Sequence, residues 1–333
     1  MSSEVELNLY LFWKNWGQIV ELKILNMNIR TLKEDAARSF MFILSMFVLS
    51  MIFFIAVGLY WKAKPILDAH SLKELLFSSR WHPTQGQFGL AGFIMGTIWV
   101  TAIATAIAVP LSLLTATYLS EYCPRPMRGI VKPVIDLLAG ISPVIYGVCG
   151  MIVVVPFVRD RLMPFFSERL PFFPFLSDNY TGFSALTAGI VLAVMISPLI
   201  ISVIEEVMKT VPLEVREASL ALGATAWQTT KNVVLRKVRP AIVAAVILGL
   251  SRAMGETMAV LMIAGCAMQG FPRSIFDTAY PLPALIANTY GEMMSVPLYD
   301  AAILLAAFIL LGITVFFNMA AWGTLLYLQR REL

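Results

Sequence analysis

Six long apolar runs constrain this chain more than any other feature of its sequence. Each is long enough for a helix that crosses a lipid bilayer, which needs roughly 20 apolar residues. The runs cover residues 39–61, 89–119, 130–158, 184–207, 241–268 and 298–328. Hydrophobic residues make up 59% of the 333 residues and charged residues only 14%, whereas an average soluble domain carries about 25% charged residues. The expected fold is therefore an all-α, polytopic membrane helix bundle with six transmembrane helices.

The same composition excludes several classes of protein. A soluble enzyme, a secreted disulfide scaffold and a disordered chain would all need more polar residues or more cysteines. The formal net charge of +4 is too small, for this length, to indicate nucleic acid as a partner. Cys123, Cys149 and Cys266 are far apart and there are only two histidines, so no metal site is expected. The sequence lacks a GxxxxGK[ST] pattern, so no cofactor is expected and any ATP would be bound by a partner subunit.

The polar segments between the runs indicate three regions. Residues 1–38 are expected to form an N-terminal cytosolic or interfacial amphipathic segment, because part of it alternates at helical spacing. Residues 39–328 would form the membrane domain, with a cytosolic loop at residues 208–240, and residues 329–333 a short cytosolic tail. Lysine and arginine are about twice as frequent in the segments on the side of the N-terminus, and the positive-inside rule then predicts that both termini are cytosolic.

The cytosolic loop, named here the coupling segment (residues 208–240), has a helical pattern of its own. Pro212 precedes a helix-forming stretch that contains Glu217 and Ala218, and Gly223 interrupts this stretch. Proline is favoured at helix starts and glycine after helix ends. The pattern predicts two short helices around a glycine turn, with a solvated loop that has no partner as the alternative.

Two charged residues interrupt the fifth apolar run. Arg252 and Glu256 are four residues apart, so on one continuous helix both side chains would project from the same face. A charge at the bilayer centre costs roughly 2.5–3.5 kcal/mol on insertion scales, which is why such residues usually face protein or water and are functional. The guanidinium group would bind phosphate oxygens in bidentate fashion. An ion pair that only fixes helix packing is the alternative.

Three hydroxyl side chains are further candidates for a substrate pathway. Ser142 and Tyr146 lie in the third run and Thr257 in the fifth. Each could also bond locally to a backbone carbonyl, as hydroxyls in membrane helices often do. Local bonding is the competing interpretation for all three.

The coupling segment resembles a motif of ABC importer permeases. Glu217, Ala218 and Ser219 are followed after three residues by Gly223 and after nine more by Val233-Val-Leu235, which is similar to the EAA–x3–G–x9–I-x-LP loop of that family. Ser219 replaces an alanine and Arg236 a proline of the family pattern. The resemblance implies the MetI-like type I ABC importer permease fold and docking of this loop on an ATPase.

Two further motifs resemble those of phosphate permeases of the PstC type. Residues 137–147, LLAGISPVIYG, are similar to the LAGIPSVVYG motif of these permeases, and residues 252–260, RAMGETMAV, to their RAxGETMAV motif. The resemblance covers roughly residues 40–328 and implies a non-catalytic permease subunit of an ATP-driven phosphate importer in the bacterial inner membrane.

The implied partners complete the expectation. They are a PstA-like permease subunit, two copies of an ABC ATPase, a periplasmic phosphate-binding protein, inorganic phosphate and the lipid bilayer. Two alternatives remain, namely a permease for another oxyanion such as sulfate or molybdate, and a secondary transporter or channel that acts alone. The coupling segment argues against the second.

Overall fold

The computed structural model describes most of the chain. The backbone is described for residues 2–169, 180–267, 271–272, 274–292 and 295–331, and the side chains from residue 33 onward except 167–168, 321, 325 and 327–331. The amphipathic pattern predicted within residues 1–38 falls largely outside the described side chains. The same holds for the side chains of the tail at residues 329–333.

The described residues form α-helices and one very short hairpin. The first group of helices is α1 Ser2–Ala69, α2 Leu72–Phe77, α3 Ala91–Thr117, α4 Arg125–Gly140, α5 Pro143–Cys149, α6 Val155–Phe157 and α7 Met163–Arg169. The second group is α8 Ala185–Lys209, α9 Leu213–Ala221, α10 Ala226–Thr229, α11 Leu235–Lys237, α12 Arg239–Met254, α13 Met258–Ile263, α14 Leu282–Thr289 and α15 Tyr299–Arg331. Strands β1 Trp81–His82 and β2 Gln87–Phe88 pair antiparallel, with Trp81 opposite Phe88. Four π-helical turns continue these helices, at Tyr118–Tyr122, Gly150–Val154, Val158–Leu162 and Thr230–Val234.

Five helical segments within the described residues are long and apolar enough to cross a membrane. They are Lys33–Ala69, Ala91–Tyr122, Pro143–Phe166, Ala185–Lys209 and Tyr299–Thr324. The all-α, polytopic membrane fold predicted from the sequence is therefore confirmed. The predicted count of six spans is not, because the fifth predicted run gives no such segment among the described residues.

The fifth predicted run is not one helix. Helix α12 ends at Met254 and α13 begins at Met258, so Gly255, Glu256 and Thr257 lie in a break. Glycine disfavours a helix interior by about 1 kcal/mol relative to alanine, and β-branched threonine is also a weak helix former. The prediction that Arg252 and Glu256 share one face of a continuous helix is therefore wrong.

The third predicted run is also divided. Helix α4 ends at Gly140, Ser142 has an extended backbone with ψ 138°, and α5 begins at Pro143. A proline disfavours helical backbone angles at the residue before it, which places the break at Ser142. The membrane-spanning segment therefore starts at Pro143 rather than near residue 130.

The chain divides into two compact units, residues 1–58 and residues 59–333. Residues 2–58 belong to α1 and are helical throughout. The larger unit is built around α8, whose Leu192, Ile196, Ile200 and Ile204 are almost completely buried. Helix α3 makes the most extensive contact with α8, and α12 and α4 also pack against it.

An aromatic cluster fixes the hairpin at the start of α3. Trp81 and Phe93 meet edge to face with ring centroids 5.3 Å apart, and Phe93 meets Tyr280 in the same way at 5.2 Å. Helix α3 has 27 residues, which at 1.5 Å per residue separates its ends by about 40 Å. The aromatic cluster and the coupling segment, which contacts the far end of α3, therefore lie at opposite ends of the bundle.

Candidate functional site

The coupling segment contains the helix–turn–helix arrangement that its sequence predicts. Helix α9 ends at Ala221, and Gly223 has a φ of +85°, a left-handed conformation that glycine adopts without steric cost. Thr225 then caps α10, since its hydroxyl accepts from the Gln228 N–H at 3.2 Å while Gln228 Oε1 accepts from the Thr225 N–H at 2.9 Å. This reciprocal capping begins a second helix immediately after the turn.

One face of the coupling segment is exposed and partly apolar. Leu222 is 89% exposed, and the side chains of Leu213, Leu220 and Trp227 are also exposed. Glu217 and Ala218, the candidate ATPase contacts, are exposed on α9. We name Leu213, Leu220, Leu222 and Trp227 the apolar face of the segment. Such a group of large apolar side chains is typical of a surface that contacts another protein.

Arg216 connects the coupling segment to two membrane helices. Its guanidinium donates to both oxygens of Glu121 at 3.2 and 3.0 Å, in the π-helical turn that ends α3. It also donates to the carbonyls of Met208, at 2.9 Å, and Val211, at the end of α8. The Arg216 and Glu121 side chains are only 18% and 10% exposed. Bidentate guanidinium–carboxylate pairs are strong and directional, so α9 is held firmly to the ends of α3 and α8.

A second ionic cluster lies in the last two turns of α8. The Glu205 side chain is 2% exposed and contacts three cations, with distances of 2.6 Å to Arg128, 2.9 Å to Lys132 and 2.5 Å to Lys209. The hydrogen bond to Glu205 raises the pKa of Lys132, which lies on α4 outside the membrane-spanning segments. A buried carboxylate is stable only when it is fully paired. Glu205 therefore fixes α4 against α8 next to the coupling segment.

The candidate pathway residues lie at the two helix breaks. Glu256 does not pair with Arg252, and its carboxylate instead accepts from the Ala259 N–H at 3.4 Å in the first turn of α13. The Thr257 hydroxyl donates to the Gly255 carbonyl at 3.2 Å, which is the local bonding that was the competing interpretation. The break is therefore stabilised by its own side chains.

Arg252 has a different environment. It lies in the last turn of α12, its side chain is exposed, and it forms no ion pair with any residue that the structure describes. Its charge interacts electrostatically with Tyr146 on α5. A guanidinium with no carboxylate partner among the described residues keeps its N–H donors for another group.

Tyr146 and Ser142 border the other break. Tyr146 is buried, and its hydroxyl donates to the Leu138 carbonyl at 2.7 Å, so it links α5 to the last turn of α4. Ser142 is exposed, and its backbone carbonyl accepts from the N–H groups of Ile145 and Tyr146. Tyr146 therefore has a local structural bond, whereas no hydrogen bond of the Ser142 hydroxyl is found among the described residues.

The two broken helices pack against each other through α5 and α13. A Cβ atom at Gly147 would lie 3.2 Å from the Ala259 Cα and 2.7 Å from the Met262 sulfur. Only a residue without a side chain permits this close approach. The fold thus brings three candidate residues into one region, namely Arg252 on α12, Tyr146 on α5 and Glu256 in the break before α13.

The sequence interpretation missed Arg216, Glu121 and Glu205 as functional candidates. Arg216 stands directly before Glu217 of the quoted motif, and Glu205 lies inside the fourth apolar run, where an acidic residue is unusual. The unusual position of Glu205 was a usable signal. No sequence signal indicated the pairing of Arg216 with Glu121, because 95 residues separate the two.

The features described so far define a class of protein. Several membrane-spanning helices, two helix breaks that carry polar residues, and a helical loop with an exposed apolar face are features typical of a multi-pass transport permease. The chain belongs to the family of binding-protein-dependent transport system inner membrane components, which matches residues 108–322. It is therefore a permease subunit of an ABC importer.

Relatives and solved structures agree with this assignment. The chain is 37% identical to the phosphate transport system permease protein PstC of Xylella fastidiosa strain Temecula1 over 290 residues, 86% of this chain and 88% of that protein. It is 33% identical to a probable PstC of Methanocaldococcus jannaschii, over 78% of this chain and 85% of that one. A structure of the inward-facing MetNI methionine ABC transporter superposes with a TM-score of 0.52 at 18% identity, covering 72% of this chain and 95% of that chain. The resemblance to PstC-type permeases and the MetI-like fold are both confirmed.

Proposed function

We propose that this chain is the membrane subunit of an ATP-driven phosphate importer and forms half of the translocation pathway. The observation that carries this proposal is the exposed guanidinium of Arg252, which has no ionic partner among the described residues, inside a chain that is 37% identical to a PstC protein. Arg252 would contact phosphate oxygens as the anion passes between two permease subunits. Ser142, Tyr146, Glu256 and Thr257 would shape the same region of the pathway.

The coupling segment would transmit the motion of a cytosolic ATPase. Its exposed apolar face, together with Glu217 and Ala218, would fit a groove of the ATPase, and Gly223 would set the angle between its two short helices. The remaining subunits would be a PstA-like permease, two copies of the ATPase and a periplasmic phosphate-binding protein. ATP would be bound by the ATPase subunits alone.

Energy input is required by the charge of the substrate. A phosphate dianion that enters against about 100 mV, negative inside, faces roughly 4.6 kcal/mol at about 2.3 kcal/mol per charge. A passive pore would therefore release phosphate from the cell. This supports an ATP-driven mechanism over a channel.

The test is reconstitution of the complete complex. The tagged chain should co-purify with a second permease and an ATPase, and proteoliposomes with the binding protein outside and ATP inside should accumulate radiolabelled phosphate. Excess sulfate or molybdate should not compete. Purification without an ATPase, or preferential uptake of another oxyanion, would contradict the proposal.

The orientation can be tested with Cys123. This cysteine follows Glu121 and Tyr122 at the end of α3, beside the coupling segment, and should lie on the cytosolic side. With Cys149 and Cys266 replaced by serine, an impermeant thiol reagent added to intact cells should not label the chain, whereas permeabilised cells should be labelled. Labelling of intact cells would invert the topology.

A further inference from the structure

Helix α12 has an exposed strip on which polar side chains flank an apolar one. Leu248 is 48% exposed, Arg252 is exposed and Ser251 is partly exposed. Ser251 and Arg252 lie three and four residues after Leu248, so they project on either side of it one turn further along the helix. Ala245, Gly249 and Ala253 on the same helix are buried. We name Leu248, Ser251 and Arg252 the α12 strip.

Both borders of the α12 strip are polar. On one border, the charge of Arg252 interacts with Tyr146. On the other border, the Ser251 hydroxyl donates to Asn318 Oδ1 on α15 at 2.7 Å. The Asn318 amide also donates to the Thr314 carbonyl at 2.8 Å. Since both bonds restrain the same amide, its orientation is fixed.

The Asn318 amide retains one N–H group without an acceptor. Its NH₂ group carries two donors, of which the bond to Thr314 uses one. Asn318 is exposed, and no acceptor for the second donor is found among the residues that the structure describes. The free donor therefore lies at the border of the strip that also carries the unpaired guanidinium.

Asn318 lies inside a membrane-spanning segment, so we expect its free donor to face away from lipid. Ser251 is 12 residues after Arg239, the first residue of α12, which is about 18 Å along the helix. Asn318 hydrogen-bonds to it and lies within the membrane-spanning segment Tyr299–Thr324. Polar groups at such a depth face protein or a water-filled path rather than lipid.

We propose that Asn318, held by Ser251, is a second anion contact of the translocation pathway, opposite Arg252 across the α12 strip. Its free amide N–H donates to an oxygen of the passing oxyanion, while Arg252 binds other oxygens. This proposal rests on the proposed function and adds α15 to the wall of the pathway. An uncharged donor opposite a guanidinium holds the anion without a second positive charge that would slow its release.

The test uses the complete reconstituted complex and measures phosphate imported per ATP hydrolysed at saturating binding protein. Asn318→Asp is nearly isosteric and keeps the acceptor for Ser251, but it removes both amide donors, the free one and the one bonded to the Thr314 carbonyl, and adds a negative charge that repels the anion. It should lower phosphate per ATP by about tenfold or more, the size expected for one hydrogen bond to a charged group. Asn318→Leu should lower it less, and Ser251→Ala least, because the latter only releases the amide orientation.

Thr314→Val is the matched control. It removes a hydroxyl one turn away on α15 but leaves the Thr314 carbonyl that Asn318 contacts. This variant should keep the parental phosphate-to-ATP ratio and the parental subunit composition. A parental phosphate-to-ATP ratio in Asn318→Asp would overturn the proposal. Loss of the second permease subunit from the purified Asn318→Asp complex would also overturn it, because that result would make Asn318 a subunit contact.

The two proposals fail in different ways. If the parental complex imports sulfate but not phosphate, the proposed substrate is wrong, and the Asn318 variants are compared with sulfate as the probe. If the parental complex imports neither anion, the role of Asn318 as an anion contact is wrong too.

Discussion

The two ends of α12 use charged residues in opposite ways. Before its start, in the coupling segment and the adjoining ends of α3, α4 and α8, Arg216 is paired with Glu121, and Glu205 with three cations. At its other end, Arg252 has no ionic partner among the described residues, and Glu256 caps α13 instead. Paired charges fix one element to another, whereas an unpaired guanidinium is available for a ligand. The comparison separates a region of paired charges, which we propose is mechanical, from a region around Arg252, which we propose binds the anion.

Replacement of Arg252 should have the largest effect. Arg252→Gln removes the only charge on the α12 strip, so phosphate uptake should fall by about two orders of magnitude, the loss expected when a charged, bidentate contact disappears. ATP hydrolysis and subunit composition should be retained, because Arg252 fixes no neighbouring helix. Uptake by reconstituted complexes is the measurement, with Arg125→Gln, an exposed charge on α4 outside the coupling segment, as a control for loss of positive charge. Parental uptake by Arg252→Gln would place the anion contact elsewhere.

Replacement of Arg216 should affect the mechanical region instead. Arg216→Gln removes the cation that pairs with Glu121, which retains the hydrogen bond from the Ser120 hydroxyl, and it removes the guanidinium donors to the carbonyls of Met208 and Val211. Phosphate imported per ATP should fall by about tenfold, since removing one member of a largely buried pair is strongly destabilising. Glu214→Gln, which changes an exposed charge on the same helix, should be neutral. If Arg216→Gln lowered uptake and hydrolysis equally, the pair would support assembly rather than transmission.

Gly223 provides a smaller perturbation of the same region. Gly223→Ala should weaken co-purification of the ATPase by about fivefold, because a left-handed conformation costs roughly 1–2 kcal/mol for a residue with a Cβ atom. The Cβ atom itself would meet no neighbour within 4 Å, so the effect would come from the backbone alone. Gly129→Ala on α4, also in open space, should have no effect. Unchanged binding of the ATPase to Gly223→Ala would show that the turn is not needed for docking.

Glu256→Gln should have the smallest effect. Glutamine still offers an oxygen to the Ala259 N–H, so α13 should remain capped and phosphate uptake should stay within about twofold of the parental rate. Without the carboxylate, however, sulfate should become a better competitor, because sulfate has no proton to donate and would be rejected by a negative acceptor. Competition assays measure this. Unchanged sulfate competition would limit Glu256 to helix capping.

The sequence by itself determined the class of fold and the local elements. The long continuous apolar runs determined an all-α membrane protein, since runs of about 20 or more apolar residues are typical of spanning helices, which satisfy their backbone in lipid by internal hydrogen bonds. The turn at Gly223 was also predictable, because glycine preference for a left-handed conformation is a property of the residue. The breaks at Ser142 and Gly255 also follow from residue preferences, because Pro143 disfavours a helical Ser142 and glycine disfavours a helix interior. They were not predicted, because each lies inside a long apolar run that was interpreted as one helix.

Only the tertiary structure decided which charged residues are partners. Arg252 and Glu256 are close in sequence but do not pair with each other, because the helix ends at Met254 and the Glu256 carboxylate instead accepts from an N–H in the first turn of α13. Arg216 and Glu121 are far apart in sequence but form a bidentate pair, because α3 and α9 end at the same side of the bundle. A charged side chain pairs with an opposite charge that helix packing places within a few ångströms of it. The identity of that partner depends on where the packed helices begin and end, and no local sequence pattern specifies this.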